Sequence, residues 1–270
     1  MSNLEIPATE PIRRTLNAKD APAVIDASST SPTAYDSAVS SMIQNVRIAT
    51  YRKRKSYNFP WLRPGYMMQF QEIERAVLRA VSRHFQGSLA GLKLLDIGCG
   101  NGGWIRRFVN WGVRPESIFG IDAIEERIAE ARRLIPPGVT LICGNAAALQ
   151  FGDESFDLVV LFECLCIMTD RATRTRMASE ALRVLRPTGA ILFYDFRYRR
   201  PGLGDVLRPV HKHEIKELFP GCDFHLRSIH PFPPLSRKLA AITPAAWHLL
   251  NVLPPIRTSY VGAIRKRSSR

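Results

Sequence analysis

Short apolar runs alternate with longer amphipathic segments through the centre of the chain. Continuous hydrophobicity over about five residues is typical of strands buried on both faces of a parallel sheet, whereas apolar residues three and four apart indicate helices. On this basis we predict strands at 92–97, 117–122, 139–143, 157–162 and 190–195. Helices are predicted from 104 onward, at 123–132 and at 171–185. Strands that alternate with helices in this way indicate a doubly wound parallel α/β sheet.

The first strand ends in a glycine cluster. Residues 94–103 have the sequence LLDIGCGNGG. Glycine lets the backbone turn tightly and lets a ligand approach where a Cβ atom would otherwise intervene. A strand, a glycine turn and the first turn of a helix together predict a cradle for a nucleotide-like cofactor.

Two kinds of cofactor compete for this cradle. Gly98, Gly100 and Gly103 match the G-x-G-x-x-G fingerprint of dinucleotide-binding domains, with Asp122 at about the expected distance beyond them. Asp96 argues against a dinucleotide such as NAD, because a pyrophosphate binds where only positive ends of dipoles face it. A carboxylate at this position suits a cationic amino acid group instead.

Residues 96–102, DIGCGNG, resemble the first motif of the class I S-adenosylmethionine (SAM)-dependent methyltransferases. The resemblance implies SAM as the cofactor. Asp122 would accept the ribose hydroxyls, and Asn145 would meet the adenine amino group, although Asn145 is equally compatible with a turn or N-cap role. The cofactor-binding residues implied are Asp96, Gly98, Cys99, Gly100, Gly102, Asp122, Ala123, Asn145, Ala146 and Phe162.

Two later stretches resemble the branch of that family that includes ubiquinone-biosynthesis and related small-molecule methyltransferases. They are residues 151–163, FGDESFDLVVLFE, and residues 181–190, ALRVLRPTGA. Apolar patterns at 222–229 and 258–264 predict two further strands, which would form the partly antiparallel edge of class I methyltransferases. The predicted fold class is therefore a Rossmann-like, doubly wound seven-stranded sheet with a reversed C-terminal strand and an N-terminal helical extension.

The segments outside this pattern define the domain organisation. Residues 1–40 are rich in Ala, Ser, Thr and Pro and bury too little apolar surface to offset their ordering entropy, so we predict a disordered tail. Residues 41–90 are predicted to form a helical cap with a helix at 68–85, ahead of a SAM-binding domain at 91–270. The resemblance implies that the cap covers the cofactor and contributes to the acceptor pocket. Tyr57 and Tyr66 are the pocket candidates, because each ring has a polar tip.

Residues 234–254 form an apolar, basic-flanked insertion within that domain, broken by Pro244. We predict a helical hairpin that packs on the domain and could lid the acceptor pocket. The alternative is peripheral contact with a membrane through the apolar side, with Arg237 and Lys238 near the headgroups.

Composition and charge limit the cell compartment and the kinds of partner that this chain fits. The net charge of +14 over 270 residues has two interpretations, a solvated surface or attraction to an anionic partner such as a phosphorylated substrate, an acidic membrane or RNA. The solvated surface is favoured for the basic run at 265–270, and the two are equal for the run at 52–55. Five cysteines without CxxC or Cys/His zinc spacing suit a reducing compartment and indicate no metal site. The start lacks the features of a signal peptide, and no apolar run is long enough to span a membrane. We therefore predict a cytoplasmic protein.

The implied chemistry is in-line attack of an acceptor atom on the sulfonium methyl group, in which alignment supplies much of the catalysis. A hydroxyl acceptor needs a base to take its proton, whereas a carboxylate acceptor needs none. Polar residues that follow the predicted strands supply the candidate bases, Glu163, Asp195 and His211. Tyr57 and Arg197 are predicted to orient the acceptor.

Three hypotheses for the function follow. The leading one is methyl transfer to an oxygen of a small or carrier-linked metabolite such as a saccharide, lipid or natural product. RNA methylation is suggested by the basic charge but weakened by the lack of a recognisable RNA-binding module. It is also weakened because Phe162 and Glu163 stand where an Asn/Asp-Pro-Pro-Tyr/Phe motif would indicate amino-methylation. The third hypothesis is a SAM-binding protein without catalytic activity.

Overall fold

The computed structural model describes residues 63–85, 87–168, 170–198, 207–231 and 233–267. The predicted disordered tail at 1–40, the first part of the predicted cap and Tyr57 lie outside the described residues. The helices are α1 (Pro64–His84), α2 (Gly103–Asn110), α3 (Glu125–Leu134), α4 (Arg171–Val184), α5 (Lys212–Leu218), α6 (Pro233–Ile242) and α7 (Pro244–Asn251). The strands are β1 (Leu94–Ile97), β2 (Ile118–Asp122), β3 (Thr140–Cys143), β4 (Phe156–Phe162), β5 (Leu185–Phe196), β6 (Cys222–Pro231) and β7 (Arg257–Lys266).

The strands form one seven-stranded sheet in the order β3-β2-β1-β4-β5-β7-β6. Neighbouring strands from β3 to β5 pair in parallel, whereas β7 runs antiparallel to both β5 and β6. The predicted fold class, including the reversed C-terminal strand and the N-terminal helix, is confirmed. Chain order reverses at β1, so the carboxyl ends of β1 and β4 flank the crevice where open α/β sheets bind ligands.

The core has two layers, one on each face of the sheet. Helices α1, α2 and α3 cover one face, where Val77, Phe108 and Ile128 pack against Leu94 and Val160. Helices α4 and α5 cover the other face with Met177, Ala181 and Ile215 among their buried side chains. Every residue of β1 is buried, as expected of a central strand in a parallel sheet.

Helix α1 begins four residues before the predicted start, because Pro64 occupies its first turn, where a missing backbone N–H costs nothing. It packs against α6, α7, β6 and β7. Its junction with α6 is tight, since a Cβ atom on Gly65 would lie 2.5 Å from the Cα atom of Arg237.

Helices α6 and α7 occupy the predicted insertion and connect the end of β6 to the start of β7. Thr243 separates them, and its hydroxyl caps α7 by accepting from the backbone N–H of Ala245 at 3.3 Å. No helix in the described ranges combines the length and hydropathy needed to cross a bilayer.

Candidate functional site

The turn between β1 and α2 is shaped for a ligand. Gly98, Gly100 and Gly102 have φ angles of +75°, +58° and +75°, in the left-handed region that side chains disfavour. A Cβ atom on Gly98 would collide with the sulfur of Cys164, and one on Gly100 would lie 2.7 Å from Nη2 of Arg127. These glycines therefore meet both a conformational and a steric requirement of the turn.

Asp96 lies one residue before the end of β1, with a relative exposure of 3%. Its Oδ2 atom is buried and has no hydrogen-bond partner among the described residues. Burial raises the pKa of Asp96 to about 7, with a further contribution from Asp122 and a partial offset from Arg127. A buried polar atom without a partner is rare in native structures, so this carboxylate suits a cationic ligand group.

Asp122 ends β2 and ties the glycine turn to the neighbouring strand. Its Oδ2 accepts the backbone N–H of Gly100 at 3.0 Å, and its Oδ1 accepts that of Ile124 at 3.0 Å. Arg127 adds an ion pair at 3.3 Å from its Nη1 to Oδ2. Sequence analysis missed Arg127, which takes up acceptor capacity that a ribose would use. A ribose at Asp122 would therefore compete with this guanidinium.

Asn145 and Ala146 follow the end of β3, beside this cradle. Asn145 Oδ1 accepts the backbone N–H of Ala147 at 2.9 Å, which is a local turn, and Ala146 packs against the core. The turn role is thus present, and contact of Asn145 with adenine stays a prediction. Cys99 is 7% exposed, and its carbonyl closes the glycine turn by accepting the N–H of Gly102 at 3.0 Å.

Aromatic side chains continue the site from the cradle along the carboxyl edge. Phe162 at the end of β4 pairs in register with Tyr194 of β5. Because neighbouring strands lie about 4.8 Å apart, β5, which carries Tyr194, is about 10 Å from β1, which ends just before Gly98. The ring of Phe162 packs edge-on against Trp104 at 4.8 Å and against Tyr194 at 6.0 Å. Phe70 of α1 stacks on Trp104 at 5.9 Å, which makes a continuous apolar wall.

A buried polar network begins at Tyr194 of this wall, and sequence analysis missed it. The hydroxyl of Tyr194 is 3.0 Å from Nε2 of His230, and Nδ1 of His230 is 3.0 Å from the hydroxyl of Thr258. The backbone N–H of His230 donates to Oε1 of Glu72 at 3.2 Å, and Asn251 donates to the same atom at 2.6 Å. His230 is fully buried and has a φ of +36°, an unusual conformation for a non-glycine residue.

The predicted bases differ in what surrounds them. Glu163 directly follows β4, has a left-handed φ of +52°, and donates its backbone N–H to the carbonyl of Tyr194 at 2.7 Å. Asp195 is fully buried, and its carboxylate accepts the backbone N–H groups of Cys166 at 3.0 Å and Phe196 at 2.8 Å. Burial raises the pKa of Asp195 to about 6, although these hydrogen bonds act in the opposite direction. Asp195 therefore stabilises the end of β5 through these hydrogen bonds, and its role as a base stays a prediction.

The remaining candidates lie around the edge of this region. His211 is exposed just before α5, and its ring stacks on that of His213 at 5.7 Å. Arg197 donates to the carbonyls of Pro254 at 3.2 Å and Arg257 at 3.0 Å. The guanidinium of Arg237 on α6 lies 3.7 Å from the ring centroid of Tyr66 on α1. Their contact with an acceptor stays a prediction.

Comparisons with known proteins identify the central part of the chain. Residues 94–189 match the family model described as a methyltransferase domain. The chain is 34% identical over 110 residues to phthiotriol/phenolphthiotriol dimycocerosates methyltransferase 1 of Mycobacterium ulcerans, covering 40% of this chain and 39% of that protein. It is 36% identical over 112 residues to 2-methyl-6-phytyl-1,4-hydroquinone methyltransferase of Synechocystis, covering 40% of this chain and 33% of that protein. The matches thus span well under half of these relatives.

Solved structures share the fold at low sequence identity. The PH0226 protein of Pyrococcus horikoshii has a TM-score of 0.57 and 16% identity over 80% of this chain and 99% of that one. The [4+2]-cyclase SpnF has a TM-score of 0.54 and 21% identity over 73% of this chain and 82% of that one. The match over residues 94–189, the sheet order and the glycine cradle above a buried carboxylate are features of a class I SAM-dependent methyltransferase domain, a family whose cofactor is SAM.

Proposed function

We propose that the chain transfers a methyl group from SAM to an oxygen of an apolar, lipid-like acceptor. The carrying observation is the buried carboxylate of Asp96, whose Oδ2 has no partner among the described residues, beside a glycine cradle. The packed rings of Trp104, Phe162 and Tyr194 lie at the neighbouring strand ends. The carboxylate fits the cationic amino acid part of SAM, and the wall fits an apolar acceptor. Two relatives, a phthiotriol/phenolphthiotriol dimycocerosates methyltransferase and a 2-methyl-6-phytyl-1,4-hydroquinone methyltransferase, support an acceptor with a hydrocarbon part.

The chain's own residues would bind and align the reactants. Asp96 would hold the cationic amino acid group, Asp122 the ribose, and Asn145 the adenine. SAM when bound supplies an electrophilic methyl group on a sulfonium centre. Holding an acceptor oxygen in line with that methyl group is worth a large effective concentration, on the order of 10⁵ M in well-oriented systems.

Proton removal from a hydroxyl acceptor would fall to Tyr194 and His230. The Tyr194 ring contacts Phe162 at the end of β4, one strand from the cradle, and its hydroxyl lies 3.0 Å from Nε2 of His230. In this proposal Tyr194 is the catalytic residue that meets the acceptor. His230 is a positioning residue that acts through it by taking up the proton. Glu163 is the second candidate, because it follows β4 directly.

Two alternatives have specific observations behind them. RNA methylation is favoured by the charge of +14, which would give salt-sensitive affinity for nucleic acid. A reaction other than methyl transfer is favoured by the likeness to a [4+2]-cyclase, because that neighbour carries the same fold.

Calorimetric titration with SAM, S-adenosylhomocysteine and NAD⁺ tests the cofactor assignment. We expect the first two to bind, Gly98→Ala to abolish that binding, and NAD⁺ to give no heat. Gly91→Ala is the matched control, because a Cβ atom there meets nothing within 4 Å. Binding of NAD⁺ alone would overturn the assignment.

Transfer of labelled methyl groups from SAM tests the reaction, with long-chain quinols, hydroxylated lipids and transfer RNA offered as acceptors. We expect label on the apolar acceptors, and we expect Tyr194→Phe to lower kcat by about 10² to 10⁴ with unchanged SAM affinity. His230→Gln should lower kcat and change its pH profile. Label on RNA alone, or none with any acceptor despite SAM binding, would refute the proposal.

A further inference from the structure

The outer surface of the α6–α7 hairpin carries a group of large apolar side chains, beside the exposed Lys238, Thr243 and His248. Four large side chains are more than half exposed there and form what we term the hairpin face. They are Ile242 at 80%, Leu249 at 74%, Val252 at 67% and Leu253 at 52% relative exposure. Ala241, directly before Ile242, and Ala245 are also exposed. A surface helix normally directs polar side chains outward, as α5 does with Lys212, Lys216 and Glu217.

The inner side of the hairpin already packs against the domain, so the hairpin face is a separate, outward surface. Trp247 and Ala240 are each 1% exposed, and Ser236 is fully buried. Asn251 at the end of α7 donates to Glu72 of α1 at 2.6 Å. The helices are therefore held against the domain by their inner side, and the hairpin face remains exposed to the surroundings. Apolar exposure of this kind marks an interaction site.

Charge identifies the kind of surface that fits. Residues 224–270 contain eight Lys and Arg residues and no Asp or Glu. Lys238 is exposed on α6, and Arg257, which binds the carbonyl of Asn251, lies beside the end of α7. Burial lowers the pKa of the Arg227 guanidinium, Arg79 and Arg257 lower it further, and Glu72 offsets part of this shift. An excess of cations around an apolar face complements an anionic surface.

We infer that the hairpin face docks on the surface of an anionic lipid bilayer. Its four apolar side chains would enter the interface, while Lys238 and the neighbouring arginines would meet the headgroups. A second copy of the chain fits less well, because each copy would bring the same cations to the contact. The bilayer supplies both the apolar depth and the negative charge that the face requires.

The hairpin also adjoins the site. It connects β6 and β7 at the carboxyl edge that holds the cradle, and Glu72 links Asn251 to the network of His230 and Tyr194. The segment after α7 is tied to the end of β5, since Tyr198 donates to the carbonyl of Pro255 at 3.1 Å. An acceptor that remains anchored in the bilayer by its tail would thus have a short path to the aromatic wall; this last step rests on the proposed function.

Flotation of the full chain with vesicles tests the inference. Vesicles of phosphatidylcholine alone are compared with vesicles that also contain phosphatidylglycerol. We expect binding to the anionic vesicles, weaker binding in high salt, and a loss on the order of tenfold or more for the double variant Leu249→Ser, Val252→Ser. Lys238→Glu should also weaken binding. Leu134→Ser is the matched control, because Leu134 is 46% exposed on α3, away from the hairpin.

Each outcome of this experiment decides for or against the bilayer. Equal binding of the wild type and the double variant would place the contact elsewhere, and absence of binding to any vesicle would leave the bilayer without support; either result overturns the inference. A dimer in solution that the double variant dissociates would assign the face to a second copy. Calorimetry with SAM in the absence of vesicles reports separately on the proposed function and on the folding of each variant.

Discussion

The carboxyl group of Asp96 connects burial to cofactor binding. Water is excluded from it, Asp122 lies close by, and Arg127 offsets only part of the cost, so its pKa rises to about 7. A cationic ligand group favours the ionised form. Below this pKa the folded chain holds a proton that binding must displace, so affinity for SAM should fall as pH falls.

We predict that the SAM association constant of the wild type, divided by that of Asp96→Asn, is about tenfold lower at about pH 6 than at about pH 8. The variant keeps the shape of the side chain and cannot titrate, so the ratio removes the titration of the ligand itself. Calorimetry across this pH range measures both proteins. A ratio that does not change with pH would mean that Asp96 is ionised throughout or does not meet the cation.

Among single residues, the sequence identifies those whose role follows from a short motif. It misses those that come into contact only when distant parts of the chain pack together. Asp96 and Gly98 are recognisable because their spacing along one strand and one turn defines the chemistry. Glu72 and His230 are 158 positions apart and meet only after α1 packs beside β6. Arg127 reaches Asp122 through a rotamer on α3, and no local pattern specifies that contact.

Helices α4 and α5 show how one buried side chain positions an element. Arg174 of α4 is fully buried and donates to Glu214 of α5 at 2.7 Å, to the carbonyl of Met168 at 2.6 Å and to that of Arg208 at 2.7 Å. These contacts fix the segment before α5, in which the N–H of Val210 donates to the carbonyl of Phe196 at 2.9 Å.

We predict that Arg174→Met lowers the free energy of unfolding by about 3 to 5 kcal/mol, because it leaves Glu214 buried without its partner. Arg171→Met on the same helix should cost about 1 kcal/mol or less. Its partner Glu217 lies at 2.7 Å as well, but both side chains are more than half exposed. Urea unfolding measures the two variants against the wild type. Equal effects would show that burial does not decide the strength of these pairs.

Helix α5 marks the limit of prediction at the scale of elements. Seven strands are predictable because each has its own apolar pattern, although β5 begins at Leu185, five residues before the predicted start. Helix α5 was not predicted. It has only seven residues, too few to establish a helical period, and Arg174 holds it through a contact 40 positions away.

Across the whole molecule, the functional features lie along one edge of the sheet. The cradle follows β1, Phe162 ends β4, Tyr194 lies near the end of β5, and the hairpin connects β6 to β7. Parallel strands bring their carboxyl ends together, and the reversed β7 returns the insertion to the same edge. The sequence predicts this topology. The exposure of the hairpin face, by contrast, depends on which side of α7 packs inward.

This arrangement predicts that acceptor length and vesicle docking are coupled. With a long-chain acceptor held in anionic vesicles, the double variant Leu249→Ser, Val252→Ser should lower kcat/KM about as much as it lowers vesicle binding. With a short-chain analogue in solution it should leave kcat/KM unchanged, because neither side chain contributes to the cradle or the aromatic wall. Steady-state assays of methyl transfer on the two acceptors measure this, with Leu134→Ser as control. Equal loss on both acceptors would indicate that the hairpin shapes the site itself, and no loss on either would separate docking from catalysis.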